Sequence, residues 1–287
     1  KSKIIINCAG INADLIQNML AEPSYEIHPR KGEYFVMSKD EGTKFRHTIF
    51  QPPTKVGKGV LITPTVHGNL LIGPDAESIH EKEDKSTSRV RLELIKATAA
   101  KSSQSINYLE QIRQFSGLRA ESDKDDFIIG ENKKIPGFID VAGIKSPGLS
   151  AAPAIALKVK DILAEKIILK EKKNFKPDIE KHIIFDKLSH EEKNKLIAKN
   201  PKYGHIICKC ENVTEGEVID AIRRKVGART VDGIKRRCRP GAGLCQGTFC
   251  GPKIQEILAS ELALELNEIT LDSDSSYIIT KKTKGDK

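Results

Sequence analysis

The sequence predicts an α+β region built on a mixed or antiparallel sheet, followed by a small all-α domain. Three observations predict it. Up to residue 169, short apolar runs and glycine turns alternate with few helical stretches. From residue 170 the composition shifts to lysine. Five of the six cysteines then fall between Cys208 and Cys250, four of them as tight pairs, Cys208-Lys-Cys210 and Cys245-Gln-Gly-Thr-Phe-Cys250. The expected divisions are 1–169, a Lys-rich connector at 170–204, the cysteine domain at 205–266 and a tail at 267–287.

Lys3–Asn7 is apolar enough to be a buried strand, and Cys8–Asp14 is the glycine turn that leads into a helix reaching Leu20. That is one βα unit of a parallel sheet. No GxGxxG stands between a strand and a helix anywhere in the chain. A chain that opens on a buried strand is expected to be part of a longer protein. Gly32–Ser38 reads as a strand, Gln51–Thr54 as a connector, and Gly59–His67 with Asn69–Gly73 as a hairpin about Gly68. Residues 86–101 carry a helical inner face of Val90, Leu92, Leu94, Ile95 and Ala99. Ser105–Phe115 fits a short helix or an extended arm, and Glu121–Asp126 a polar turn. Phe127–Gly130 and Phe138–Ala142 are strands. The second runs through Gly143–Ser150 into a helix from Ala151 to Lys166, with Ser150 as N-cap. That loop is either an anion cradle or an ordinary βα turn.

In the second half, Ser189–Glu192 and Thr214–Glu217 are capping boxes. The helix after Thr214 is expected to run through Val226 and stop at Gly227, with a short helix at Thr230–Arg237 next. Pro240–Gly243 is a turn that delivers Cys245, and Gly251-Pro252 opens a last helix to Leu266. Beyond Asn267 a polar tail is expected, disordered from Thr280.

A chain of 287 residues with 38% hydrophobic and 30% charged residues is a soluble globular protein of about two domains. It holds no membrane-length apolar run and no secretory signal. Clustered cysteines then point to a reducing cytoplasm. The net charge of +9 comes from lysines scattered among acids, and aromatics are only 5%, so nucleic acid is not the expected partner.

Thiolates are soft ligands that select iron–sulfur clusters, zinc or Cu(I). Small buried packing is the alternative use of cysteine. The one-residue gap between Cys208 and Cys210 fits zinc fingers poorly. Cys238 reads as a packing residue or an adventitious thiol. The basic group Lys235, Arg236, Arg237 and Arg239 reads as compensation for an anionic centre or as a dock for an acidic partner.

The spacing C-x-C, 34 residues, C-Q-G-x-x-C, with Arg239–Cys250 and Glu217–Ile222, resembles the bacterioferritin-associated-ferredoxin-like [2Fe–2S] domain. The resemblance implies one cluster on Cys208, Cys210, Cys245 and Cys250, with zinc as the alternative. A second resemblance covers the first 170 residues. Ile6–Asp14, Lys31-Gly-Glu-Tyr34, Thr63–Asn69 with Leu71–Pro74, Gly117-Leu-Arg119 and Ala142–Leu149 come in the order seen in FAD-dependent oxidoreductases of the D-amino-acid-oxidase superfamily. Within it they are most similar to anaerobic glycerol-3-phosphate and L-2-hydroxyglutarate dehydrogenases. What is absent is that family's dinucleotide fingerprint.

The resemblance implies a partial FAD and substrate domain. Asn7, Ala9, Gly10 and Asp14 would line an FAD-side turn, and Gly143, Lys145, Ser146, Gly148 and Leu149 would face the flavin. Arg119 would clamp a phosphate or carboxylate. His67 is either a base or a surface turn histidine. The implied function is a dehydrogenase passing electrons from flavin to cluster, acting on glycerol 3-phosphate or, alternatively, a 2-hydroxy acid. Its electrons would leave to an acceptor protein or second subunit, in the cytoplasm or at a membrane through that partner. The rivals are a zinc-stabilised module and an electron-transfer module without catalysis.

Overall fold

The protein is described by a computed structural model covering residues 2–53, 59–176 and 181–281. Its contacts divide the chain into two units, Lys1–Lys176 and Pro177–Lys287.

The first unit runs β1 (Ile5–Asn7), α1 (Ala13–Asn18), β2 (Ile27–Met37), α2 (Lys39–Gly42), β3 (Leu61–Pro64), β4 (Leu70–Gly73), β5 (Glu77–Ser78), α3 (Arg89–Ala99), β6 (Gln111–Ser122), β7 (Ile128–Glu131), β8 (Phe138–Ala142) and α4 (Gly148–Ala164). A small sheet has the order β1-β8-β7, with β1 parallel to β8 and β7 antiparallel to it. A larger antiparallel sheet has the order β3-β4-β2-β5, and β6 also pairs along β2.

β2 is longer than the sequence predicts because β6 pairs with it from Ile27 to Met37. The open alternative at Ser105–Phe115 therefore resolves as a 3-10 turn at Tyr108–Glu110 that runs into strand from Gln111. The strand also takes up Glu121 and Ser122, where local composition predicts a turn. Alternation along β2 turns Phe35 and Met37 onto the core, where they meet Ile62, Leu70 and Ile72 and the inner face of α3, Leu92, Ile95 and Ala99. Each such large side chain contributes about 1.5–3 kcal/mol on burial. Ser88 caps α3 through Arg91 N–H, and the Glu33 carboxylate accepts Ser88 N–H at 3.1 and 3.0 Å.

α4 starts at Gly148 with Pro147 as N-cap, not at Ala151 with Ser150 as cap. Ser150 is the third residue of the helix, and its hydroxyl donates back to Pro147 O at 3.0 Å. Pro153 consequently lies inside the helix and beyond its first turn.

The second unit contains α5 (His190–Lys199), β9 (Ile206–Cys208), β10 (Val213–Thr214), α6 (Glu215–Arg223), α7 (Val231–Cys238) and α8 (Gly251–Leu262). It is helical apart from the β9–β10 ribbon. Both predicted capping boxes form. In the second, Glu217 accepts Thr214 N–H at 2.8 Å and, with its other oxygen, Phe185 N–H at 3.0 Å. The core joins Val213, Val218, Ala221, Ile222, Ile234, Ile254 and Leu258 to Cys208 and Cys250.

Three expectations for this unit change. Much of 181–204 packs as part of it and does not merely connect: Phe185 and Tyr203 are buried and stacked with centroids 6.3 Å apart. Tyr203 lies against Gly216, where any Cβ would strike the ring. α6 ends at Arg223, before Gly227, and α8 ends at Leu262 on Ala263 with φ +54°. The predicted tail begins inside the fold, since Ile269 is 1% exposed in the core and Thr270 and Leu271 carbonyls accept the N–H groups of Val231 and Asp232. These two residues open α7, so the segment satisfies that helix's first donors. Within the expected disordered stretch, 282–287 lie outside the described residues.

Candidate functional site

Pairing in register, Asn7 with Asp140, brings the carboxyl ends of β1 and β8 side by side. The turn after β1 and the loop after β8 therefore share one end of the sheet, where open α/β sheets bind ligands. Ala9 and Gly10 are exposed in that turn, and Gly10 has φ +57°. Gly143 is required at the loop's start: its φ is +66°, and a Cβ would come within 2.8 Å of Ser122 Oγ. Lys145, also at positive φ, is half-buried. Ser146 and Leu149 are exposed, and Gly148 begins α4. No acidic side chain occupies the first turn of α4, and Pro147 offers no capping acceptor to its first N–H groups. These features fit one side of a flavin site.

Asn7 and Asp14 belong to this end, and their side chains are buried beneath the turn. The Asn7 amide donates to Ala13 O at 2.8 Å and Asp140 Oδ1 at 2.9 Å, and its oxygen accepts Ala9 N–H. Tyr25 O–H adds a bond to the same Asp140 oxygen at 2.8 Å, and burial beside that carboxylate raises the phenol's pKa. Asp14 accepts Ile27 N–H at 3.0 Å and pairs with Lys82 at 2.5 Å. Desolvation raises its pKa, but the Lys82 and backbone bonds win and hold it below the ordinary value. Both residues fix the turn from beneath. Tyr25 and Asp140, which complete this buried knot, carry no spacing signal in the sequence.

Arg119 lies on β6 opposite Arg30 of β2, so the two side chains share one face of the large sheet. Arg119 is half-buried, donates to Asp75 O at 3.2 Å and lies across Gly32, which has no room for a side chain. Lys145 N–H donates to Ala120 O at 3.3 Å, so the loop after β8 hangs on the strand that carries Arg119. His67 is elsewhere. It is exposed in the β3–β4 turn, beyond Leu70, which pairs with Met37 at the far end of β2. From residue 30 to residue 37 is about 23 Å along the strand at about 3.3 Å per residue. The structure does not bring His67 and Arg119 to one small-molecule site.

In the second unit β9 ends on Cys208, the ribbon turn holds Cys210, the loop after α7 holds Cys245, and Cys250 caps α8. The four thiols come together as two pairs across the loops. Cys210 and Cys245 sulfurs are 3.7 Å apart. Cys208 and Cys250 are both buried in the core, and burial, with the neighbouring Cys208, pushes the Cys250 thiol up to about 12. Nearby backbone N–H groups, foremost that of Phe249, hold the Cys245 thiol below its ordinary value. Among the described residues no group of three or more His, Cys, Asp or Glu side chains is placed to hold a metal ion. A single tetrahedral zinc with Zn–S of about 2.3 Å needs all four sulfurs within about 3.8 Å of one another. Two pairs fit two irons with two thiolates each.

The basic group does not face the thiols as free charge. Arg236 forms a two-pronged bond to Asp272 at 2.7 Å, Arg237 donates to Gly233 and Val226 carbonyls, and Lys235 approaches Asp232 at 4.0 Å. Arg239, in the left-handed conformation after α7, pairs with Glu211 at 3.0 Å and so ties the 239–245 loop to the turn of Cys210. Gly243 packs against Cys210 so closely that a Cβ would collide with it. The sequence shows Gly243 in a flexible turn but not this contact. Cys238 donates to Ile234 O at 3.6 Å, and burial pushes its thiol up to about 12, as a packing residue's would be.

Comparison with known proteins divides the chain in the same sense. Residues 1–162 match the family described as FAD dependent oxidoreductase, and residues 206–260 match the BFD-like [2Fe-2S] binding domain. A glycerol 3-phosphate dehydrogenase of Caloramator mitchellensis is 50% identical over 99% of this chain and 60% of its own length. A glycerol 3-phosphate oxidase of Mycoplasma genitalium is 35% identical over 62% of this chain and 46% of its own. The solved structure of dithionite-reduced L-α-glycerophosphate oxidase from Mycoplasma pneumoniae with FAD bound superposes with a TM-score of 0.55 and 30% identity, covering 60% of this chain and 44% of that one. The chain thus spans about half the length of the relatives it matches. No described helix is long and apolar enough to cross a membrane. With its larger unit matched from residue 1 to 162 and its cysteine unit matched separately, the chain belongs to the FAD-dependent oxidoreductases and carries a BFD-like [2Fe–2S] domain.

Proposed function

We propose that the chain is the substrate-side and electron-exit portion of an FAD-dependent glycerol-3-phosphate dehydrogenase. The observation that carries this reading is the Lys145–Ala120 hydrogen bond, which ties the cofactor-side loop to the strand of Arg119. It is supported by the glycerol 3-phosphate names of the relatives above.

The flavin, when bound, accepts a hydride from the substrate's CH–OH carbon, and the cluster carries the electrons onward singly. Ala9, Gly10 and the Gly143–Leu149 loop would hold the flavin's edge, with Asn7 and Asp14 bracing the turn from below. The N–H groups opening α4, with Lys145, would stabilise negative charge on the reduced ring. Arg119 would bind the substrate phosphate through its planar fork. Arg30 adds a second guanidinium on the same face, held by Glu121 at 3.4 Å. A phosphate dianion is better served by two cations than a single carboxylate is. Cys208, Cys210, Cys245 and Cys250 would hold the cluster, and an acceptor protein or second subunit would take the electrons, in the cytoplasm or at a membrane surface through that partner.

Turnover of the full-length protein with an artificial acceptor tests the reading. Glycerol 3-phosphate is expected to be oxidised well ahead of L-2-hydroxyglutarate. Turnover of the hydroxy acid alone would reassign the substrate, and zinc in place of iron and labile sulfide would remove the electron exit.

A further inference from the structure

The two thiol pairs have different surroundings. Cys208 and Cys250 are 2% and 1% exposed and belong to the core with Val213, Ile254 and Leu258. Cys210 is exposed and Cys245 half-buried. The Cys210 and Cys245 sulfurs lie 3.7 Å apart. The turn that carries Cys245 passes through Gln246 and Gly247 at φ +47° and +90°. Beside this outer pair, Leu244 and Phe249 are 71% and 77% exposed.

One added electron on a [2Fe–2S] centre settles mainly on one of its two irons. The extra negative charge is favoured beside water and N–H dipoles and disfavoured inside an apolar core. Exposure selects the outer pair. We propose that Cys210 and Cys245 bind the iron that is reduced, and that Cys208 and Cys250 bind the iron that stays ferric, so that electrons enter and leave at the Cys210–Leu244–Phe249 surface. This rests on the [2Fe–2S] reading of the site. In the step, one electron from a reduced flavin, or from dithionite in the test, converts one ferric ion to ferrous. No bond breaks and no proton is consumed.

The full chain, reconstituted anaerobically with iron and sulfide, is titrated by EPR. Serine in place of a cysteine offers a hard alkoxide that favours the ferric state. Cys210→Ser and Cys245→Ser are expected to lower the reduced fraction at fixed potential at least tenfold, equivalent to about 59 mV for one electron. Cys208→Ser and Cys250→Ser are expected to change it less than threefold. A larger effect from the inner pair overturns the assignment.

Because the inner variants sit in the core, wild-type protein supplies a second measurement. In paramagnetic NMR of the reduced form, the β-protons of cysteines on the ferrous iron shift further on warming. Those protons are expected to show Overhauser contacts to Thr248 and Phe249, and contacts to Ile254 and Leu258 in their place overturn the proposal. Absence of iron, sulfide and any EPR signal would overturn the cluster reading with it. A normal signal with inner-pair assignment would overturn this proposal alone.

Discussion

Replacing Gly243 with alanine probes the cysteine site at its tightest point. The new Cβ would fall inside contact distance of Cys210 Cβ, 3.5 Å from its Sγ and 3.2 Å from Glu211 Oε1. Cys210 cannot turn away without leaving Cys245, 3.7 Å from it. The turn cannot slide freely either, because Arg239 holds Glu211 at 3.0 Å. Overpacking a fixed site of this kind costs about 1–3 kcal/mol, which is about 5- to 150-fold in cluster retention. Iron and labile sulfide per chain, followed by the rate of bleaching under a chelator, measure it. Gly251→Ala is the control: it follows Cys250 directly, yet a Cβ there meets nothing within 4 Å. Thermal melting of the metal-free proteins separates lost fold from lost cluster. A Gly243→Ala protein that loads and keeps its cluster as well as wild type would refute the packing argument.

Other outcomes follow from the same contacts. Glu217→Ala leaves the N–H groups of Thr214 and Phe185 buried without their acceptor, each costing about 1–3 kcal/mol, and should lower the melting temperature of the metal-free second unit clearly. Asp14 has a depressed carboxyl pKa, so its stabilising share is present above the unfolded value of 3.8 and lost as pH falls through the lower folded value. Lys82→Met should therefore destabilise the protein to denaturant at pH 7, and the gap from wild type should close as pH falls through the lowered folded value and the carboxyl is protonated. In the full-length enzyme, Arg119→Lys should raise KM more than it lowers kcat, because the bidentate fork is lost while charge remains. His67→Ala should leave kcat/KM within about threefold, and a loss of 100-fold or more would place His67 at the chemistry after all.

Local chemistry makes part of the fold and of the site legible in the sequence. The two capping boxes are readable because a hydroxyl and a carboxylate three residues apart satisfy helix donors wherever they occur. The paired cysteines are readable because thiolates are rare and their spacing is short. Other boundaries differ from the sequence pattern where tertiary pairing overrides local signals. β2 and β6 are long because each lends the other a partner along its whole length. Ile269 looks like the start of a tail because one apolar residue among polar ones has no period, yet it fills the core. The family resemblance implies Asn7 and Asp14 at an FAD-side turn, and only the fold shows their polar atoms already bonded within.

By itself, the sequence determined which atoms are available: four thiolates, a glycine loop before a helix and a guanidinium two residues past a glycine. Only the tertiary structure decided which of them meet. It brings Cys210 to Cys245 across the loops and buries Cys208 with Cys250 in one core. It hangs the 143–149 loop on the strand of Arg119 and leaves His67 at the other end of the sheet. The reason is physical: spacing along a chain fixes neighbours only within a turn or two, whereas strand register and core packing set distances between residues far apart in sequence.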